Sequence, residues 1–190
     1  MSTHLSQRIL KRVALLAVGV GLNADATVAG LATIPEEVLQ YLLSSDELDE
    51  MDATGRTRVV RLLARDRRVS IRIHALEQAV LYERPLAPDT LSTLELLATD
   101  PDPAVRESFH EHVAEIFDRL SIFDRTQLVG RWTTSDSSHL RLSVARALQS
   151  PFVTLGVPTA IRLLREDPEE EVRTQASIAG VVRRIPPSNA

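Results

Sequence analysis

The sequence has no cysteine, and aromatic residues make up only 4% of its 190 positions. The absence of cysteine excludes a disulfide framework, a thiol nucleophile and the cysteine-ligated iron–sulfur and zinc sites. No apolar run reaches the length of about 20 residues that a membrane-spanning helix needs. A strong excess of one charge is also missing, because 26 acidic residues face 22 basic ones and leave a net charge of −4. Binding of nucleic acid through overall charge is therefore not expected, although a local basic patch stays open.

The rest of the composition is that of an ordinary globular chain, with 44% apolar and 25% charged residues. These fractions exclude a disordered tail or a collagen-like chain, and 190 residues are enough to bury one continuous core. No stretch shows the alternation of β-branched residues that a strand requires. We therefore expect an all-α fold.

Residues 1–26 allow two interpretations. Basic residues precede the apolar run at 13–22 (VALLAVGVGL), and residues 24–26 (ADA) resemble a cleavage site, which is the layout of a secretory signal. The apolar residues of this segment also recur at helical spacing, at Leu5, Ile9, Val13, Leu16 and Val20. That spacing is typical of an amphipathic helix in a folded domain. We favour a cytoplasmic protein whose first helix caps the fold, with export as the alternative.

A period of about 34 residues runs through the rest of the chain. The string Leu-Leu-x-x-Asp, followed six residues later by Arg, is complete at Asp66, Asp100 and Asp167. A degenerate copy has Arg131-Trp132 in place of the leucines and Ser135 in place of the aspartate. The arginines that end the four strings are Arg72, Arg106, Arg141 and Arg173, and they are separated by 34, 35 and 32 residues. Such a period is typical of stacked helical hairpins.

Each copy carries the signals of two helices joined by a tight turn. The leucine pair ends an amphipathic first helix, and proline and acidic residues open the second, as in 100–103 (DPDP) and 167–171 (DPEEE). Proline at the first helical position loses no hydrogen bond, and carboxylates there favour the positive end of the helix dipole. The predicted hairpins pair helices at 53–65 with 68–82, 88–98 with 102–119, 124–133 with 137–149, and 157–166 with 169–184.

With these strings, the sequence resembles the HEAT-repeat family over residues 53–185. The resemblance implies a right-handed α-solenoid of about four helical hairpins, with residues 1–52 as a divergent N-terminal helical cap and 186–190 as a C-terminal tail. It also implies a structural ladder, in which the Asp of an inter-helix turn and the Arg of a second helix connect neighbouring units. The ladder residues are Asp66, Arg72, Asp100, Arg106, Arg141, Asp167 and Arg173. Asp136 is the candidate for the carboxylate that the third unit lacks.

The densest basic cluster lies on the first helix of the repeat region and in the turn that follows it. Its predicted partner-binding members, which we call the arginine cluster, are Arg56, Arg58, Arg61, Arg65 and Arg68. On a helix, Arg58, Arg61 and Arg65 form one stripe, which suits a phosphate group or an acidic partner. Internal neutralisation is the competing interpretation, because residues 46–52 carry five carboxylates.

His110-Glu111-His112 is the one feature of the sequence that suggests a metal. Deoxyhypusine hydroxylase, an enzyme of the HEAT-like class, binds iron through several His-Glu pairs, whereas this chain has one such pair. Adjacent residues of a helix point about 100° apart, which disfavours chelation by neighbours. We therefore predict no metal and no cofactor. Nucleophile-elbow, P-loop, dinucleotide-binding and zincin motifs are also absent from the sequence.

The preferred interpretation is a non-enzymatic scaffold or adaptor that displays its second helices as a concave surface to a protein partner. The alternative is binding of nucleic acid or phosphate through the arginines at 56–68. A repeat-based enzyme of the bilin lyase or hydroxylase kind comes third. The conspicuous aromatic residues Trp132 and Phe109 are expected to pack into the core rather than to anchor a partner.

Overall fold

The computed structural model describes residues 33–43, 53–82, 88–150 and 157–184. These residues form nine helices and no strand, so the predicted all-α fold of helical hairpins is confirmed. The helices are α1 (Glu36–Leu43), α2 (Ala53–Leu63), α3 (Val69–Tyr82), α4 (Pro88–Ala98), α5 (Pro103–Arg119), α6 (Ile122–Thr133), α7 (Ser138–Ala147), α8 (Val157–Arg165) and α9 (Glu170–Val182). The predicted N-terminal helix falls outside the described residues.

The chain divides into two compact units. Unit 1 comprises residues 1–83 and 87–97, and its described helices are α1, α2, α3 and nearly all of α4. Unit 2 comprises residues 84–86 and 98–190, and it contains α5 to α9. None of these helices is long and apolar enough to cross a membrane.

In unit 1, α2 and α3 pack as a hairpin, and α1 packs against α3. The guanidinium of Arg68 donates to the carbonyl of Ile34 at 2.7 Å, and the hydroxyl of Ser70 donates to the carboxylate of Glu36. Both contacts join residues 34 positions apart, which is the repeat period. The helix α1, predicted as part of a divergent cap, therefore lies where a second helix preceding α3 would lie.

In unit 2, the second helices α5, α7 and α9 lie side by side, and the first helices α6 and α8 form another layer against them. The helix α5 begins where the sequence predicts. Pro103 occupies its first position, and the side chain of Asp102 accepts a hydrogen bond from the amide of Ala104 at 2.9 Å. This cap satisfies a backbone donor that the first turn of a helix leaves open.

Three aromatic rings fill the core of unit 2. Phe109 and Phe117 of α5 and Trp132 of α6 are fully buried. The ring centroid of Trp132 lies 5.6 Å from that of Phe117 and 6.3 Å from that of Phe109, within the range of favourable aromatic pairs. The prediction that Trp132 and Phe109 pack in the core is confirmed. A tryptophan in place of the repeat's leucine is therefore accommodated by the rings of the preceding helix.

Candidate functional site

The four turns that join the two helices of a hairpin use one backbone pattern. The side chain at the start of each turn accepts a hydrogen bond from the amide two residues later. These bonds join Asp66 to Arg68 at 2.9 Å, Asp100 to Asp102 at 2.8 Å, Ser135 to Ser137 at 3.2 Å and Asp167 to Glu169 at 3.0 Å. Ser135 thus performs the turn-forming role of the three aspartates with a neutral hydroxyl group.

The four arginines of the repeat string close the same turns from the other side. The Nη1 of each donates to the carbonyl six residues earlier. The distances are 2.8 Å from Arg72 to Asp66, 2.6 Å from Arg106 to Asp100, 2.8 Å from Arg141 to Ser135 and 2.6 Å from Arg173 to Asp167. Each arginine therefore satisfies a turn carbonyl that the helices themselves leave without a donor.

Arg141 also connects two successive repeats. Its Nε and Nη2 donate to the two carboxylate oxygens of Asp167 at 2.6 and 3.1 Å. The Asp167 side chain is 4% exposed, and that of Arg141 is 12% exposed. The hydrogen bond to Asp167 raises the pKa of Arg141. Burial alone would raise the pKa of Asp167, but the bonds from Arg141 and from the amide of Glu169 outweigh burial, so this pKa is lowered. The pair is a bidentate rung between the third and fourth repeats.

The corresponding place beside Arg106 has no carboxylate. Arg106 has the same Nη1 contacts as Arg141, to the carbonyls of Asp100 and Pro101, but no described residue accepts from its Nε or Nη2. The idea that Asp136 supplies the missing carboxylate is wrong. The carbonyl of Asp136 accepts from Arg141 at 3.0 Å, and its exposed side chain makes no ion pair with Arg106. The substitution of serine at position 135 therefore removes the acceptor.

The arginine cluster is only partly exposed. Arg58 is exposed, whereas Arg56, Arg61 and Arg65 are half-buried on α2. Burial lowers the pKa of Arg65, and the neighbouring charge of Arg61 lowers it further. The Nη1 of Arg65 donates to the carbonyl of Arg61 at 2.9 Å. The apolar face of the same helix is buried, as its spacing predicts, at Val59, Leu62 and Leu63.

The fifth member of the cluster, Arg68, is held inside unit 1. Its Nε and Nη2 bind the carboxylate of Asp66 at 2.8 and 2.7 Å, while its Nη1 binds the carbonyl of Ile34. The hydrogen bond to Asp66 raises the pKa of Arg68. Arg68 thereby joins the turn to the segment before α1. The part of the cluster that faces outward is centred on Arg58.

The second helices of unit 2 are linked across their exposed face by a row of charged side chains. Arg146 of α7 donates to Glu107 of α5 and to Glu171 of α9, at 3.1 Å in both cases. The two glutamate side chains are 59% and 60% exposed. A further amide pair, Gln149 to Gln175 at 2.8 Å, joins α7 to α9. We call the set Glu107, Arg146 and Glu171 the charged row.

A line of carboxylates extends from the charged row along α5. We call it the acidic stripe, and its members are Glu107, Glu111, Glu115 and Asp118, all exposed. Their spacing of four, four and three residues places them on one face of a helix. The sequence contains this spacing, but our sequence interpretation considered Glu111 only with its two histidine neighbours and missed the stripe.

The two histidines beside Glu111 lie in different surroundings, since His110 is buried and His112 is half-buried. His110 is buried, and burial followed by the charge of Arg146 lowers its pKa. The Nδ1 of His112 lies 2.8 Å from the carbonyl of Ser108. Among the described residues, no group of three histidine, aspartate or glutamate side chains is placed to hold a metal ion.

Comparison with known proteins shows the fold. No family model matches the sequence, and no curated protein matches it. A solved structure of a TOG domain, reported under the words "TOG-tubulin binding specificity promotes microtubule dynamics and mitotic spindle formation", is similar with a TM-score of 0.52. The match has 16% identity and covers 90% of this chain and 81% of that one. TOG domains are solenoids of HEAT repeats, so the chain shares a fold built from stacked helical hairpins.

Proposed function

We propose that this chain is a HEAT-type repeat protein that binds a protein partner as a non-enzymatic scaffold or adaptor in the cytoplasm. The observation that carries the proposal is the exposed face of α5, α7 and α9, where the charged row crosses three successive helices and meets the acidic stripe. The fold shared with a TOG domain supports the proposal, because that domain is described as binding a protein, tubulin.

The charged row suits a rigid display surface. Arg146 ties both neighbouring helices to α7 through Glu107 and Glu171. These contacts lie at the surface, so each is worth about 0–1 kcal/mol to folding. Side chains that such contacts hold in place lose less entropy when a partner binds.

The charge of this face defines the partner. Four carboxylates follow one face of α5, and two of them have a cation beside them, since Arg146 pairs with Glu107 and Arg119 pairs with Glu115. A partner with a basic surface would be steered to this face, because complementary charges raise the rate of association. Tubulin is tested on a separate ground, since it is named as the partner of the TOG domain with the shared fold.

The experiment compares two charge reversals that differ in position. Glu111→Lys changes the acidic stripe, and Glu166→Lys changes an exposed glutamate at the end of α8 as the matched control. Purified tubulin and an extract of the native cell, treated with nuclease, are tested for binding at two salt concentrations. We expect to find a protein that binds the wild type and the Glu166→Lys variant but does not bind the Glu111→Lys variant. Equal binding to all three forms, or recovery of nucleic acid alone, would contradict the proposal.

A second candidate is the arginine cluster, with nucleic acid or an acidic protein as its ligand. Arg58 of the cluster is exposed, and so is Arg67, in the turn that follows α2. Phosphate binding by these groups would weaken steeply with salt, because bound phosphates release counterions. The test is binding of labelled DNA by the wild type and by an Arg58→Gln/Arg67→Gln variant, with Arg162→Gln on α8 as the control. Binding unaffected by salt and by both variants would reject this candidate.

A further inference from the structure

Arg173, near the start of α9, uses only one of its guanidinium nitrogens in hydrogen bonds to described residues. The Nη1 of Arg173 donates to the carbonyls of Asp167 and Pro168 at 2.6 and 2.7 Å. The Nη1 of Arg141 donates to the equivalent carbonyls of its own turn at 2.8 and 3.0 Å. The two guanidinium groups therefore have the same orientation relative to their turns.

The two guanidinium groups differ in what their remaining donors, Nε and Nη2, contact. In Arg141, Nε and Nη2 bind the carboxylate of Asp167, which belongs to the turn of the next hairpin. No described residue accepts from Nε or Nη2 of Arg173. A planar guanidinium presents these two donors in parallel, in the geometry that a carboxylate accepts. The open edge of Arg173 thus has the shape and the charge that bind an aspartate.

The surface beside this edge suits a packed helix. The helix α7, which has α9 at its side, buries Leu142 and Ala145, one and four residues after its ladder arginine. The same positions in α9 hold Thr174 and Ser177, which are exposed and small enough for a second helix to approach closely. Further along α9, exposed apolar residues follow at helical spacing, namely Ile178 (43% exposed), Val181 (77%) and Val182 (56%).

We propose that this surface, which we call the α9 face, docks a helical hairpin from another polypeptide whose inter-helix turn presents an aspartate. The carboxylate of that aspartate accepts from Nε and Nη2 of Arg173, and an apolar helix of the hairpin covers Ile178 and Val181. The in-chain contact of α8 and α9 with α6 and α7 is the pattern for this docking. The α9 face is separate from the acidic stripe, so the two proposals can fail independently.

The test uses the chain's own last hairpin as the probe, because its Asp167 already binds an arginine of this type. A labelled peptide of residues 151–184 is titrated with the full chain, and its binding is followed by fluorescence anisotropy. Loss of one partner of a charge-assisted pair costs about 1.5–3 kcal/mol, so the dissociation constant rises about tenfold or more with a peptide carrying Asp167→Asn. The same rise is expected with Arg173→Gln in the chain, and little further rise when both changes are combined. Binding that is indifferent to both changes would overturn the proposal.

A fused form tests the same contact if the peptide does not fold alone. A second copy of residues 151–184 is appended after residue 184 of the full chain, with its own aspartate intact or changed to asparagine. We expect the intact copy to resist protease and to raise the melting temperature more than the asparagine copy does. Equal melting temperatures, or rapid cleavage of both copies, would refute the docking. Self-association of the unmodified full chain that Arg173→Gln abolishes would identify a second copy of this chain as the occupant and would refute the assignment to a different protein.

Discussion

Two successive turns of unit 2 share a backbone geometry and differ in charge. At the Asp167 turn, one carboxylate binds the amide of Glu169 and the guanidinium of Arg141. At the Ser135 turn, the hydroxyl binds the amide of Ser137, and no described residue accepts from the outer edge of Arg106. The turn therefore needs only an acceptor at this position, whereas the contact between repeats needs a carboxylate.

The first turn of the repeat region shows a third outcome. Asp66 has the carboxylate, but the side chain of Arg68 binds both of its oxygens. The residue two positions after the aspartate is arginine in this turn and glutamate in the Asp167 turn. A cation at that position reaches the carboxylate from within the same turn. In α1, however, Val38 stands 34 residues before Arg72, where the other second helices have an arginine. A rung between repeats therefore needs both the aspartate of one turn and an arginine on the preceding second helix.

The largest expected effect comes from breaking the filled rung. Asp167→Asn keeps an acceptor for the amide of Glu169 but removes the charge that balances Arg141. Removing one partner of a well-buried ion pair leaves the other charge unsatisfied, and we expect a loss of about 2–4 kcal/mol in the free energy of unfolding. Urea denaturation measures the loss.

Asp136→Asn is the matched control for this variant, because the exposed side chain of Asp136 makes no ion pair with Arg106 or Arg141. Its expected change is within about 0.5 kcal/mol. In the Arg141→Gln background, Asp167→Asn should lower the free energy of unfolding much less than it does in the wild type. Full additivity of the two changes would show that the rung contributes nothing to stability.

The next effect tests the local pair in unit 1. Arg68→Gln removes the bidentate contact to Asp66 and the bond to the carbonyl of Ile34, so we expect a loss of about 1–3 kcal/mol in thermal unfolding. Arg58→Gln changes an exposed arginine of the same cluster and is expected to leave the melting temperature unchanged. If the two variants melt alike, Arg68 does not serve the fold in the way that its contacts indicate.

These pairs show how far the sequence alone predicts the fold. The string Leu-Leu-x-x-Asp places the helices of the repeat region within a few residues, because it combines a buried apolar pair with a turn acceptor. The helix α1 was harder to place in the repeat, because Val38 stands 34 residues before Arg72, where the other second helices have an arginine. Its register becomes visible only in the contacts of Ile34 and Glu36 with α3 and the turn before it.

The candidate site was less predictable, for two physical reasons. The capture of Asp66 by Arg68 depends on the backbone path of one turn, which residue spacing does not describe. The charged row depends on which second helices lie side by side, so Glu107, Arg146 and Glu171 have no common motif in the sequence. The acidic stripe is different, since its spacing along α5 is present in the sequence and identifies one helix face directly.

A smaller gain in stability is expected if a carboxylate is placed beside Arg106, where the second and third repeats have no ion pair. Ser135→Asp keeps the acceptor for the amide of Ser137 and supplies a carboxylate for Arg106. Because Arg106 is half-buried, we expect a gain of about 0.5–1.5 kcal/mol, or roughly 2–4 °C in melting temperature. The gain should disappear in an Arg106→Gln background. A gain that persists there would come from the turn itself rather than from a restored rung.

The smallest effect is a change in the titration of His139, which lies within the electrostatic reach of Arg106. Burial lowers the pKa of His139 below its ordinary value, and the charge of Arg106 lowers it further. A carboxylate at position 135 would neutralise Arg106, so we expect Ser135→Asp to raise the pKa of His139, measured by NMR titration of the imidazole protons.

The same change affects the pH dependence of stability. The pKa of His139 is lower in the folded state than in the unfolded chain, so between these two pKa values the unfolded chain binds more protons. The free energy of unfolding therefore falls as the pH decreases through that window. The variant should therefore lose less stability on mild acidification than the wild type. His110 is a second probe, because burial and Arg146 lower its pKa, whereas Glu107 and a hydrogen bond with the backbone of His139 raise it. Equal shifts of both histidines would mean that the substitution altered the whole unit, whereas a shift of His139 alone would assign the new charge to the rung.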